Sequence, residues 1–169
     1  HIIREALTNS EWGLGAYAVD VDDTSFTAAA DTLYAEGFGL SVLWEEQGTI
    51  EDFINDIKAH VDANLYVHPR TGKWTIRLIR DDYDEGDLLT LGEAEISRVE
   101  DYLRPAFGDL SNSVTIKFWD KETLADSALT IDDPALVQMQ GAVINVKHEY
   151  PACTSKELAG RLGQRDLKA

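Results

Sequence analysis

The chain has 169 residues, of which 44% are hydrophobic, and this length allows one domain that buries roughly 70% of its unfolded surface. Its 31 acidic residues outnumber 15 Lys and Arg, and the net charge of -16 argues against binding to nucleic acid or to an anionic membrane surface. No apolar run has the length of a bilayer span, so we expect no insertion into a membrane. The lone cysteine, Cys153, excludes an internal disulfide and a metal site built from several cysteines.

Two helices are predicted near the start of the chain. The spacing of four apolar residues predicts a short amphipathic helix that ends near Thr8: Ile2, Ile3, Ala6 and Leu7. A loop is expected from Glu11 to Asp23. Thr24 or Ser25 is then the expected N-cap of a second helix, and Gly37 is the expected left-handed residue after its end.

The next stretch, residues 39–80, predicts a strand, a helix and a hairpin. The apolar run Leu40, Val42 and Leu43 predicts a buried strand that ends at Trp44. Thr49 is the expected N-cap of the helix, with Asp52 as its reciprocal partner. The apolar face of this helix is formed by Ile50, Phe53, Ile54, Ile57 and Val61.

A β-hairpin is predicted directly after that helix. Residues 65–67 form its first strand, and residues 69–72 form a turn in which Gly72 takes a positive φ angle. Trp74, Ile76 and Leu78 alternate along the returning strand.

The second half begins with an acidic linker at residues 81–92, a possible boundary inside what is otherwise a single domain or compact fragment over residues 1–169. Residues 96–107 and 112–119 are predicted as two strands joined around Gly108-Asp109, and residues 127–131 as a further strand. Asp133-Pro134 marks the start of a short helix. The chain then closes with a strand at 143–150 and a helix from about Lys156, capped by Thr154 or Ser155 with Glu157 as the box partner. Helices interleaved with antiparallel strands and hairpins predict an α+β fold.

Two groups of acidic residues are candidates for a metal or catalytic site. When Gly86 is aligned with the glycine of a calcium loop, the position that requires a bidentate Glu falls on Gly92, so the Asp81–Asp87 run is interpreted as a solvated turn. The pair Glu45-Glu46 is the best candidate for glycosidase carboxylates, but neighbouring residues on a strand point in opposite directions.

The remaining candidates also favour structural roles. The four histidines, His1, His60, His68 and His148, lack the spacing of metal ligands, and His60 near a helix end is interpreted as a site that favours positive charge. Cys153 is expected to be a buried, unreactive thiol. The pairs Gly13-x-Gly15 and Gly37-x-Gly39 are interpreted as turn glycines. Four tryptophans offer a sugar-binding platform or, more simply, packing in the core and at its rim: Trp12, Trp44, Trp74 and Trp119. We therefore predict no catalytic, cofactor-binding or metal-binding residues.

Nearly the whole chain resembles the central part of phage tail tip attachment proteins, the hub and host-specificity proteins of lambda-like long-tailed phages and prophages. The resemblance is carried by the order and spacing of these motifs: IIREALTNSEWGLG (2–15), ADTLYAEGFGLSVLW (30–44), IEDFINDIKAHVDANLYVHPRTGKWTIRLIRDDYD (50–84), RPAFGDLSNSVTIKFWD (104–120) and ALVQMQGAV (135–143), followed by a closing helix. Because the chain begins at His1 inside a predicted helix, we expect it to be a fragment of a longer polypeptide.

This resemblance implies a non-enzymatic structural domain of a virion tail, similar to a tail hub in fold. It also implies a homotrimeric ring in the full-length protein and contacts with other tail proteins, without cofactors. The alternative interpretation is a cell-wall-degrading or carbohydrate-binding module.

Overall fold

The computed structural model describes residues 1–43 and 48–168. Within these residues, five α-helices and five strands follow one another in the order α1 (Ile2–Thr8), α2 (Asp23–Ala35), α3 (Ile50–Val61), β1 (Ala63–Val67), β2 (Trp74–Leu78), β3 (Ser113–Asp120), β4 (Ala125–Asp132), α4 (Pro134–Gln140), β5 (Asn145–Glu149) and α5 (Lys156–Lys168). Short 3-10 turns lie at Ala18–Asp20, Glu85–Asp87 and Phe107–Asp109. The fold is α+β, as the sequence predicts.

The first half of the chain is a helical layer packed on a two-stranded hairpin. β1 and β2 pair antiparallel, with Leu65 opposite Ile76. Buried apolar residues of α1, α2 and α3 pack with those of the hairpin in one core that includes Leu7, Phe53 and Ile76.

The second half is a three-stranded sheet covered by α5. The strand order is β4-β3-β5; β3 is antiparallel to β4 and parallel to β5. Val114, Ile116 and Phe118 alternate along β3 and are buried under α5 with its Ala159 and Leu162. Phe38, which follows α2, packs against both cores and links the two halves.

The sequence predictions for the start of α3, the hairpin turn, the end of α2 and the start of α4 are confirmed. Thr49 Oγ1 accepts the Asp52 N–H at 3.1 Å, and Asp52 Oδ2 accepts the Thr49 N–H at 3.3 Å, which forms a capping box. Gly72 in the turn has a φ of 67°, and Gly37 after α2 has a φ of 63°. Asp133 caps α4, and Pro134 is its first residue.

The expected cap of α2 is wrong. The helix begins at Asp23, so Thr24 and Ser25 lie inside it. The Ser25 hydroxyl donates to the Asp22 carbonyl at 2.9 Å and accepts the Ile76 N–H at 3.2 Å. Ser25 therefore links α2 to the hairpin by a hydrogen bond, a role that the neighbouring residues in sequence do not indicate.

At the start of α5, Ser155 is the cap, because its Oγ accepts the Leu158 N–H at 3.3 Å. Glu157 does not complete a capping box. Instead, it accepts a hydrogen bond from Arg161 at 2.7 Å, one helical turn later.

Two predicted strands are absent. Residues 38–43 form no strand: one backbone hydrogen bond joins Ser41 N–H to the Ala152 carbonyl at 3.0 Å, and Leu43 is 80% exposed. Residues 96–107 contain no strand either, and all of them are exposed. Their apolar residues do not alternate with the period of two that places one face of a strand in a core. β3 pairs instead with β4 and β5, which correspond to the strands predicted at 127–131 and 143–150.

Candidate functional site

Four polar side chains interact where α5 meets the end of β5. This junction cluster consists of His148, Tyr150, Arg165 and Asp166. Asp166 Oδ2 accepts the Tyr150 hydroxyl at 2.7 Å and lies 3.0 Å from His148 Nδ1. Arg165 Nη2 donates to the Tyr150 oxygen at 2.9 Å and to Asp166 Oδ1 at 3.0 Å. The Asp166 side chain is only 8% exposed, so hydrogen bonds from these neighbours take the place of those that water would donate to an exposed carboxylate.

Packing of the sheet and α5 fixes the positions of these side chains. Tyr150 continues the line of β5, since its N–H donates to the Lys117 carbonyl of β3 at 3.1 Å. Arg165 and Asp166 lie in the last turns of α5, whose buried Leu162 anchors the helix on β3. The junction cluster thus forms as a consequence of the core beneath it.

Two arginines of α5 reach across to the helices of the first half. Arg165 donates to the carbonyls of His60 at 2.8 Å and Ala59 at 3.1 Å, which lie in the last turn of α3. Arg161, one turn earlier on α5, donates to the carbonyl of Glu36 at 2.6 Å, just after α2. The last carbonyls of a helix lack partners inside the helix and carry partial negative charge, so guanidinium groups bind them well.

His60 lies buried between the two halves, with 1% exposure. Its Nε2 is 3.2 Å from the Gly39 carbonyl, and its Nδ1 has no hydrogen-bond partner in the described part of the chain. The rings of Phe38 and Tyr150 contact it edge-on, with centroids 5.5 and 6.1 Å away. Burial lowers the pKa of His60, and the nearby Arg165 charge lowers it further. The interpretation of His60 as a site that favours positive charge disagrees with this direction, because burial disfavours the charged imidazolium.

The junction cluster resembles part of a catalytic triad without its nucleophile. Asp166 and His148 form the acid–histidine pair of such a triad. Among the residues that the structure describes, however, no hydroxyl or thiol hydrogen-bonds to His148. Burial raises the pKa of the Tyr150 hydroxyl, and its hydrogen bond to Asp166 raises it further, so the phenol stays protonated. The carboxylate lone pairs are taken up by Tyr150, His148 and Arg165, and the arrangement serves to hold α5 in place.

Cys153 is buried, as the sequence predicts. Its thiol lies 3.5 Å from the Ser155 carbonyl, and burial raises its pKa. A protonated, enclosed thiol is a poor nucleophile. His148 and Cys153, although close in sequence, do not form a pair.

The acidic and glycine motifs take part in local turns. Asp84 Oδ1 accepts the Gly86 N–H at 2.9 Å and shapes the turn of the acidic linker. A Cβ atom at Gly13 would lie 2.4 Å from the Ala6 carbonyl oxygen, so this glycine permits close approach to α1. Within residues 1–43 and 48–168, no three His, Cys, Asp or Glu side chains are grouped to hold a metal ion. Glu45-Glu46 and Trp44 lie outside the described residues.

The three described tryptophans lie on different elements. Trp12 is in the loop after α1, Trp74 packs against the first core, and Trp119 is 44% exposed on β3. Trp119 lines an open groove of about 490 Å³ on the second sheet, together with Asp126 of β4 and Glu149 of β5.

A long exposed segment, residues 81–110, connects the two halves. Every residue in it is exposed, and ten of these are large and apolar: Tyr83, Leu88, Leu89, Leu91, Ile96, Val99, Tyr102, Leu103, Phe107 and Leu110. Leu89, Tyr102 and Leu103 are each more than 80% exposed. Exposed apolar residues at this density make the segment a candidate contact surface. Sequence reasoning missed this feature because it assigned twelve of the thirty residues, 96–107, to a strand.

Among the described residues, no helix has both the length and the apolar character needed to cross a membrane. No protein-family model matches the chain, and a comparison with curated proteins finds no match.

Proposed function

We propose that this chain is a non-enzymatic structural domain of a phage or prophage tail tip protein, located in the virion tail. It contributes to tail assembly and host attachment through contacts with other copies of itself and with other tail proteins. The proposal joins the resemblance in the sequence to one structural observation, the exposed apolar segment at residues 81–110. A domain that assembles needs surface for partners, and this segment offers it.

The polar chemistry of the described residues agrees with an assembly role. The junction cluster uses its hydrogen bonds to attach α5 to the first half, and Cys153 is enclosed. An enzyme needs a nucleophile or a base that a substrate can reach in suitable geometry. The groups that come nearest to this description are engaged in holding the fold.

Immunogold labelling of tailed particles from a lysogen that carries this sequence tests the proposal. Antibodies against the chain should place gold at the tail end distal to the head, and the same particles treated with pre-immune antibodies serve as the control. Mature particles that carry no label, while the lysate contains the protein, would contradict the proposal.

A second candidate function, carbohydrate binding, is favoured by the groove beside Trp119. An exposed indole flanked by Lys117, Asp126 and Glu149 matches the aromatic and polar composition of sugar sites. Hydrolysis is less well supported, since both carboxylates are exposed and a glycosidase acid sits in a protected site. Titration with soluble cell-wall oligosaccharides should quench tryptophan fluorescence in the wild type and not in Trp119→Ala if this function holds; Trp12→Ala is the control.

A further inference from the structure

The 81–110 segment is acidic as well as apolar. It contains ten acidic residues and two arginines, a net charge of -8, which is half the charge of the whole chain. Its acidic and apolar residues alternate in short groups, such as Asp87 before Leu88-Leu89 and Asp101 before Tyr102-Leu103. A surface that binds this segment must therefore offer both apolar contacts and positive charge.

The β1–β2 hairpin has the opposite character. Residues 63–80 contain four basic residues and no acidic one: Arg70, Lys73, Arg77 and Arg80. Arg80 is bound to Glu36, with 2.7 Å between Nε and Oε1. Arg77 is exposed on the outer face of β2, opposite Asn64, and has no hydrogen bond or ion pair within the described residues.

A groove runs along this basic face. Its volume is about 310 Å³, and its lining includes Tyr66, Arg77 and Ile79 together with Asp82 and Tyr83 from the beginning of the 81–110 segment. Because Arg80 is bound to Glu36, Arg77 is the cation of this lining that remains for a partner. Ile79 is 59% exposed, so the apolar wall of the groove is open to solvent. The groove thus offers the two features that the acidic, apolar segment requires.

A single copy leaves both surfaces uncovered. Residues 81–110 are all exposed, and only the first few of them lie beside the groove. The occupant that matches the groove in charge and polarity is thus the same segment of another copy. A contact between two different surfaces of identical chains is head-to-tail, and repetition of such a contact gives a ring when its rotation closes and an open filament when it does not.

We infer that the 81–110 segment of one copy docks in the hairpin groove of a second copy of this chain. The inference deepens the proposed function and rests on it, because a tail ring brings copies together. The segment places its leucines and tyrosines against Tyr66 and Ile79, and its carboxylates reach Arg77.

The net charge of -16 opposes this contact at long range. We therefore expect the chain to be mainly monomeric at micromolar concentration and physiological salt. Added salt screens the long-range repulsion, whereas Arg77 and the carboxylates that it contacts are screened less once the docked segment covers the groove. Association should consequently increase with protein concentration and with salt.

Sedimentation equilibrium from micromolar to near-millimolar concentration tests the contact in two variants. Leu89→Ser/Tyr102→Ser/Leu103→Ser changes the segment, and Arg77→Glu changes the groove. Each should weaken association by about tenfold or more, equivalent to about 1.4 kcal/mol. Both changes lie at exposed positions, so far-ultraviolet circular dichroism and the urea midpoint should be unchanged.

Matched controls are available elsewhere on the surface. Val19→Ser/Tyr34→Ser removes two apolar side chains that are 70% and 89% exposed, and Lys147→Glu reverses a charge on β5. Neither should alter association.

Mixing the two defective variants gives a further readout. The segment variant keeps an intact groove, and the groove variant keeps an intact segment, so the mixture should form dimers and stop there. Amide hydrogen exchange should slow in residues 81–110 as association proceeds.

Three results would overturn the inference: a wild type that stays monomeric at near-millimolar concentration in high salt, association that both variants leave unchanged, or protection of residues 81–110 in the monomer. None of them affects where gold labels the virion, so failure of this contact and failure of the tail tip proposal are distinguishable.

Discussion

His60 is a titratable side chain buried among mostly apolar groups. Its pKa differs between the folded and the unfolded chain, so the free energy of unfolding depends on pH. Burial lowers its pKa below the ordinary value of 6.5, so the unfolded chain takes up a proton more readily than the folded one. The stability associated with neutral His60 is complete above pH 6.5 and is lost as the pH falls from there through its folded pKa.

We predict that acid destabilises the wild type more steeply than His60→Leu below about pH 6.5, by up to about 1.4 kcal/mol per pH unit. Urea unfolding at a series of pH values measures this difference. His68→Ala, in the hairpin turn, is the control and should follow the wild type. Parallel pH profiles for His60→Leu and wild type would show that His60 is not held neutral.

Thr49 and Gly72 determine local backbone geometry. Thr49→Ala removes the acceptor for the Asp52 N–H and should lower the free energy of unfolding by about 1 kcal/mol, whereas Thr49→Ser keeps the cap. Gly72→Val places a β-branched residue at a φ of 67° and should cost about 1–2 kcal/mol. Urea midpoints equal to that of the wild type would disprove both assignments.

Arg165 makes more bonds across the two halves than Arg161 does. Arg165→Met removes donors to two carbonyls of α3 and to Tyr150, and leaves the buried Asp166 carboxylate with fewer partners. We expect a loss of about 2–4 kcal/mol, because hydrogen bonds to charged groups contribute about 1.5–3 kcal/mol each and are not additive. Arg161→Met, one turn away, should have a smaller effect in the same denaturation experiment. Equal losses in the two variants would refute the special role of Arg165.

At the scale of elements, the packing of α5 on the sheet depends on Gly163. A Cβ atom there would lie 2.7 Å from Ile131 Cδ1 and 3.2 Å from Ile116 Cγ1, whereas at Gly160 its nearest neighbour would be Leu129 at 3.8 Å. Valine at either position has the same helix propensity, so the comparison isolates packing. Gly163→Val should be less stable than Gly160→Val by about 1–3 kcal/mol in thermal or urea unfolding. The reverse order would show that α5 does not lie on β3 and β4 as described.

Elements encoded by local chemistry were predictable, and elements fixed by distant partners were not. The capping box at Thr49, the turn at Gly72 and the start at Asp133-Pro134 each depend on neighbours within a few residues. The partners of β3 depend on residues far along the chain, and an apolar run such as 96–107 does not show whether a core exists to receive it. For the same reason, Ser25 was assigned to a cap, although its hydroxyl serves the hairpin.

The junction cluster was beyond the reach of sequence patterns. Its members come from β5, from the residue that follows β5 and from α5, and Arg165 binds carbonyls of α3, a partnership that no residue type indicates. A signal that sequence reasoning could have used is the spacing of Arg161 and Arg165, four residues apart and thus on one face of a helix. The burial of Cys153, by contrast, follows from its apolar character and was predicted.

At the scale of the whole molecule, two cores share Phe38 and are joined by arginines of α5, while residues 81–110 stay outside both. This division separates a packed body from an exposed segment. The possible boundary that the sequence places at residues 81–92 coincides with the first part of that segment.

Cryo-electron microscopy of the tail tip, on particles that carry this sequence, tests the central claim most directly. We predict that this α+β fold is repeated three times around the tail axis, with residues 81–110 of each copy covered by a neighbouring protein surface. A tail tip without this fold, or one in which residues 81–110 remain exposed to solvent in every copy, would contradict the claim.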